Sequence, residues 1–219
     1  MTAGEAKNVD NAVVLARLFN EASGQKAPSK KHGLFILRPS AAYLMKRVLI
    51  IGGSCSGKST LARQLADRTG LPVIHLDQKY FGPEWKEPKR ADWADTVTKF
   101  AARESWIMDG NFSGTFPLRM PRADTVVFLD QPTWRCLWRV VLRTVRYYNK
   151  VRPGSAPGCR ERFDLDFMHH VAVWNITRRS GILARLAEQQ ALGKTILHVS
   201  KRKDIEALLG AFPLSSKTQ

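Results

Sequence analysis

The chain has 219 residues, 44% of them hydrophobic, and a formal net charge of +16. That length builds one large or two small domains with a real core, and no stretch approaches the ~20 apolar residues of a membrane span. Cys55, Cys136 and Cys159 are scattered in no metal-ligand spacing, and Glu5 and Asp10 stand where a signal peptide would need an apolar block. This excludes a disulfide framework and predicts a cytoplasmic, membrane-free protein. The positive balance attracts polyanions, either nucleic acid or phosphorylated small molecules.

Residues 1–44 differ in texture from the rest. An Ala/Val/Leu stretch (Ala12 to Phe19) is followed by a polar run from Gly24 to His32, which predicts a disordered or weakly helical extension. Met45 lies directly before Lys46-Arg47 and is a candidate alternative start. From there to residue 212 strand and helix patterns alternate, and 213–219 reads as a tail. Alternation of that kind predicts an α/β fold with a parallel sheet.

The first strand is expected at 47–51 and the first helix at 58–69, with Leu61, Leu65 and Ala66 on one face and Gly70 as its stop. A second strand at 72–76 ends at Asp77, and a loop over 78–90 carries Tyr80, Phe81 and Trp85. A helix over 91–104 shows a buried stripe of Trp93, Val97, Phe100 and Ala101. The third strand (105–108) ends in Asp109-Gly110, and the fourth (125–129) ends in Asp130. A helix over 133–150 divides into an apolar arc (Trp134, Leu137, Trp138, Val141, Leu142, Val145, Tyr148) and a basic one (Arg135, Arg139, Arg143, Arg146, Lys150). The apolar arc is expected to face the sheet and the basic arc the solvent or an anion. Residues 151–162 hold two Pro-Gly-type turns and three arginines, the composition of a basic lid over about 150–165. The fifth strand is expected at 195–199, with a closing helix at 203–209.

The strongest single signal joins the first strand to the first helix. Gly52-Gly53-Ser54-Cys55-Ser56-Gly57-Lys58-Ser59-Thr60 fits the phosphate-binding loop G-x-x-x-x-G-K-[ST] in the strand–helix setting the motif requires. Its glycines let successive N–H groups turn toward phosphate oxygens at a helix N-terminus. Lys58 can reach the β- and γ-phosphates, and Ser59 can ligate Mg²⁺. In open parallel sheets ligands bind beyond the carboxyl ends of the strands, where Asp77, Asp109 and Asp130 also lie. Either Asp109 or Asp130 can serve as the magnesium carboxylate; the apolar spelling before Asp130 is the more typical one.

The segments MKRVLIIGGSCSGKSTLARQLADRTGLPVIHLD, WIMDGNFSG, PRADTVVFLDQP and APGCRERFDLDF together resemble the topology modulation kinases, small P-loop proteins similar to adenylate and shikimate kinases. The resemblance spans about 45–209. It implies a three-layer P-loop NTPase fold with a five-stranded sheet in the order 2-3-1-4-5, a lid between strands four and five, and ATP as donor. It favours Asp109 as the carboxylate near Mg²⁺ and matches Asp77 to an aspartate that meets the acceptor in shikimate-type kinases. It also aligns Arg119 with a phosphate-binding arginine of adenylate kinases, although here ten residues separate Asp109 from Arg119.

The expected activity is phosphoryl transfer from ATP·Mg²⁺, bound on 52–60, to a nucleotide, nucleoside-like or other hydroxylated acceptor beside Asp77, Tyr80 and Trp85. Arg160 and Arg162 are expected to close over the γ-phosphate, with Arg139 and Arg143 contacting phosphates from the helix and Arg119 at the acceptor. A different class of function, a nucleic-acid-binding ATPase, would use the arginine arc on a DNA backbone. No helix-turn-helix, zinc or RNA-binding signature supports it. A monomer or weak dimer is expected.

Overall fold

The computed structural model describes residues 45–152 and 154–212; the expectations for 1–44 and 213–219 lie outside the described residues. The first strand, β1 (Arg47–Gly52), is an unbroken apolar run, and Val48, Leu49, Ile50 and Ile51 are all fully buried. A strand apolar on both faces belongs at the centre of a parallel sheet covered on both sides. β1 does sit there, between β3 (Trp106–Asp109) and β4 (Thr125–Leu129). The outer strands are β2 (Val73–His75) and β5 (Thr195–Val199), giving five parallel strands in the order β2-β3-β1-β4-β5.

Side-chain alternation along β1 builds two cores. Val48 and Ile50 pack with Leu61 and Leu65 of helix α1 (Lys58–Thr69) and with Leu208 and Leu209 of α8 (Arg202–Gly210). Leu49 and Ile51 pack on the other face with Trp93 and Val97 of α3 (Arg90–Ala101), Trp174 of α6 (Leu165–Thr177), and Ile182 and Leu186 of α7 (Arg179–Ala191). Each such buried aliphatic side chain contributes about 1.5–3 kcal/mol. This is the three-layer P-loop NTPase fold.

The differences from the sequence expectations are local. β2 ends at His75, and Leu76 opens a one-turn helix, α2 (Leu76–Tyr80), so Asp77 lies in a helical turn rather than at a strand tip. Another short helix, α4 (Phe116–Arg119), interrupts the loop before β4. α6 and α7 have no counterpart among the expected elements. In α6 the apolar residues fall all round the helix, with His169 and His170 among them, and in α7 they are broken by Arg179 and Arg185, so neither shows a clean helical stripe.

The largest correction concerns α5 (Thr133–Tyr147). Its buried face is Cys136, Val140 and Thr144, which pack toward Val171 of α6. Trp134, Trp138, Leu142 and Val145 are exposed, Trp138 at 59%. The expected apolar arc does not meet the sheet because α5 packs on α6 instead of on strands. That rotation carries the arginine arc toward the phosphate loop.

Candidate active site

The loop from Gly52 to Lys58 is shaped by contacts that only glycine permits. Gly52 has φ +150°, and a Cβ there would stand 2.5 Å from the Leu129 carbonyl oxygen. Gly57, at φ +106°, caps α1 with no side-chain hydrogen bond, and the first turn carries no acidic residue. The first-turn N–H groups and the helix dipole therefore stay available to an anion. Lys58 Nζ donates to the carbonyls of Gly52 (3.0 Å) and Gly53 (2.8 Å), which holds its ammonium over the loop mouth. Ser56 Oγ is buried without a partner. Gly52 N donates to Asn111 Oδ1 at 3.0 Å, tying the loop to the segment after β3.

Asp109 ends β3 beside β1 and is 3% exposed. Ser59 Oγ donates to its Oδ2 at 2.6 Å, and His75 Nδ1 lies 2.6 Å from its Oδ1. His75 is the β2 neighbour of Asp109 in the ladder, so strand pairing itself delivers this orienting contact. A hydroxyl and a carboxylate are the hard oxygen donors that Mg²⁺ takes beside nucleotide phosphates. Among the described residues no group of three His, Cys, Asp or Glu could hold a metal by itself.

Asp130 is different. Arg179 grips both its oxygens (Nε at 2.9 and 3.0 Å, Nη2 at 2.7 Å), and His198 Nε2 lies 2.7 Å from Oδ2. Burial pushes its carboxyl up, but these hydrogen bonds and the Arg179 charge win and hold it at about 2. With its lone pairs committed, Asp130 serves the packing of α7 on β4 and β5. The apolar spelling before it marks a strand end whose carboxylate is bound by Arg179 and His198.

A cleft of about 970 Å³ runs along the loop, lined by Ser54 to Leu61 and, across from them, by Asp77, Phe81, Trp85, Glu87, Asn111 and Phe112. Arg139, Arg143, Arg152 and Arg162 reach it from α5 and the lid. Arg139 Nη1 donates to the carbonyls of Cys55 (3.3 Å) and Ser56 (3.1 Å). Arg143 donates from Nε to Glu161 Oε1 at 2.7 Å and from Nη1 to Cys55 Sγ at 3.2 Å. Arg152 Nε lies 3.1 Å from the other Glu161 oxygen. Glu161, 4% exposed, is thus the anion that compensates the arginines; it is one acid amid lid arginines, and its position was not read from the sequence. Asp77 is open to the cleft but flanked by protein on its other sides, and that desolvation pushes its carboxyl above its ordinary range, opposed by Lys58, aided by the Asp109 charge, and opposed by Arg152 and Arg143.

The lid is docked. Val151 and Arg160 form an antiparallel bridge, Cys159 Sγ donates to the Gly82 carbonyl at 3.1 Å, and Trp85 Nε1 donates to the Arg160 carbonyl at 3.1 Å. These contacts place three expected residues outside the roles given to them. Arg160 turns to Asn149 Oδ1 (3.3 Å) and does not line the cleft. Tyr80 packs among Phe81, Trp93 and Phe112, with its hydroxyl donating to Glu87 at 2.9 Å. Arg119 is 0% exposed and donates to the carbonyls of Gly110, Asn111 and Phe112 and to Thr115 Oγ1. Burial pulls its guanidinium down to about 9 against the pull of Asp109. It shapes the loop after β3 and touches no ligand space.

Backbone strain gathers around the same cleft. Among the described residues five non-glycines have positive φ: Cys55 (59°), Glu84 (56°), Trp85 (63°), Phe112 (33°) and Asn149 (57°). Cys55, Trp85 and Phe112 line the cleft, and Asn149 lies at the foot of the lid. Strain of this kind costs ~1–3 kcal/mol per residue and clusters at functional sites.

The isopentenyl transferase family model matches residues 45–81, the segment holding β1, the phosphate loop, α1 and α2. Among solved structures, the chain is similar to shikimate kinase from Acinetobacter baumannii in complex with shikimate (16% identity, 83% of this chain and 100% of that one, TM-score 0.49). It is also similar to shikimate kinase from Aquifex aeolicus (18%, 77% and 94%, TM-score 0.43). A gluconokinase from Sinorhizobium meliloti is a third likeness (15%, 76% and 91%, TM-score 0.45). A comparison with the curated proteins finds no match.

Proposed function

We propose that this protein transfers the γ-phosphoryl group of ATP to a hydroxyl of a small acceptor. The observation that carries the reading is the convergence of Lys58, Ser59 and Asp77 on one cleft, with Asp109 held directly behind Ser59 by its hydroxyl, above a loop whose N–H groups are free of side-chain caps. The triphosphate lies along 52–60, with Lys58 offsetting charge on the transferred group and Arg139, Arg143, Arg152 and Arg162 adding positive charge from the opposite wall. Ser59 Oγ and Asp109 would hold Mg²⁺, which when bound draws charge from the β- and γ-phosphates; His75 fixes the Asp109 carboxylate for that duty. Asp77 accepts the acceptor's proton, and a carboxyl pushed upward by desolvation at the cleft wall is the better base for it. The docked lid excludes water, which would otherwise take the phosphoryl group. Arg139 and Arg143 bond to the phosphate loop and to Glu161, which favours a phosphate-facing role for this part of the arginine arc.

Lys58→Ala tests this reading. Transfer from radiolabelled ATP should fall by ~10³-fold or more while circular dichroism stays that of the folded protein. Wild-type turnover in that variant would refute the assignment.

A further inference from the structure

The two sides of the cleft carry opposite chemistry, and the difference bears on what the acceptor is; the step rests on the phosphotransferase reading above. The arginines lining the cleft come from α1, α5 and the lid, whereas the wall formed by residues 77–87 and 111–112 contributes two carboxylates, Asp77 and Glu87, and no cation. Two guanidiniums that the sequence placed at the acceptor or the phosphates are committed elsewhere. Arg119 is spent on backbone carbonyls and fully buried. Arg160 is turned to Asn149. Arg152 and Arg143 share Glu161 on the triphosphate side of the cleft, so that side's charge is already partly offset. A phosphate dianion placed between Asp77 and Glu87 would meet repulsion from both carboxylates.

The same wall is aromatic. The Phe81 and Trp85 rings meet edge to face with centroids 5.2 Å apart, and Phe112 lines the cleft beside them. Trp85 and Phe112 are held at positive φ, so the fold accepts strain to present these rings. Flat faces of this kind stack on a planar ring, and a carboxylate beside them accepts ring N–H donors.

We propose that the acceptor is an alcohol with no phosphate of its own, joined to a flat ring that carries N–H donors: the nucleoside class, not the nucleoside monophosphate class. The ring lies against Trp85 and Phe81, its N–H groups donate to Glu87, and its hydroxyl meets Asp77. In the transfer the acceptor oxygen forms a bond to the γ-phosphorus. The bond from that phosphorus to the β–γ bridging oxygen breaks, its electron pair leaves on ADP, and the hydroxyl proton passes to Asp77.

The test is ADP release by the full chain with ATP and Mg²⁺ across ribo- and deoxyribonucleosides and their matched 5′-monophosphates, with products identified by mass spectrometry. At least one nucleoside should be phosphorylated with kcat/KM about tenfold or more above that of its monophosphate. Glu87→Gln should raise KM for that nucleoside by about tenfold while leaving KM for ATP in place. Trp85→Leu should raise the same KM. Monophosphates used as well as nucleosides, or a nucleoside KM indifferent to Glu87→Gln, would overturn the proposal. So would Lys58-dependent ATP hydrolysis that no nucleoside stimulates, an outcome that leaves the phosphotransferase reading standing. Failure to turn over ATP at all would end both.

Discussion

Two aspartates end the strands on either side of β1, and their surroundings are opposites. Asp109 meets one small hydroxyl and one imidazole, and the hydroxyl, Ser59, lines the cleft. Asp130 is clasped by a guanidinium and a second imidazole, with nothing left to offer. The same residue at equivalent ends of neighbouring parallel strands becomes a metal-site candidate in one place and a packing clamp in the other. What separates them is the partner that the adjoining element supplies: Ser59 from the phosphate loop, or Arg179 from α7.

The sharpest way to break this contrast is to neutralise each aspartate in turn. Asp109→Asn should lower kcat by ~10²-fold or more, because charge that the site provides only at transfer is lost, with the thermal midpoint little changed. A smaller effect, on stability, is expected at Arg119. Arg119→Met should cost about 3 kcal/mol in denaturant unfolding, since several buried carbonyls lose their donor. A change confined to acceptor KM would instead return Arg119 to a ligand-binding role.

Asp130→Asn should leave kcat untouched and cost roughly 1–2 kcal/mol at neutral pH, discounted because Arg179 and His198 are part-exposed. The pH course follows from the depressed carboxyl. Its contribution is complete above the ordinary value of 3.8 and is lost as pH falls toward about 2, so wild type and variant should converge in acid unfolding. Asp77 gives the opposite sign and the smallest stability change. Its carboxyl is raised by desolvation although the residue is open to the cleft, so ionised Asp77 weakens the folded state only slightly as pH rises through its folded-state value. Asp77→Asn should raise the thermal midpoint slightly at pH 7, show no gain below pH 3.8, and lose transfer to a hydroxyl acceptor.

How legible this was depended on the range of each interaction. β1, α1, α3 and the phosphate loop follow from local pattern, because a central strand and a glycine-rich turn announce themselves within a dozen residues. The strand order came from the family resemblance. His75 facing Asp109, and Glu161 between Arg143 and Arg152, depend on ladder register and on how the lid folds back, and neither leaves a local mark. α5 misled for a related reason: its amphipathic arcs are real, but the arc that packs is set by α6, a helix the sequence did not announce. Arg119 shows the limit of aligning a motif across an altered spacing, since ten residues after Asp109 the chain has turned inward.

The decisive experiment is a Mg²⁺ titration of ADP formation in Asp109→Asn and Asp130→Asn beside the wild type. Asp130→Asn should superimpose on the wild-type curve, while Asp109→Asn needs far more Mg²⁺ and plateaus far lower. The reverse pattern, a normal Mg²⁺ response in Asp109→Asn and a lost one in Asp130→Asn, would place the metal on the other side of β1 and contradict the site described here.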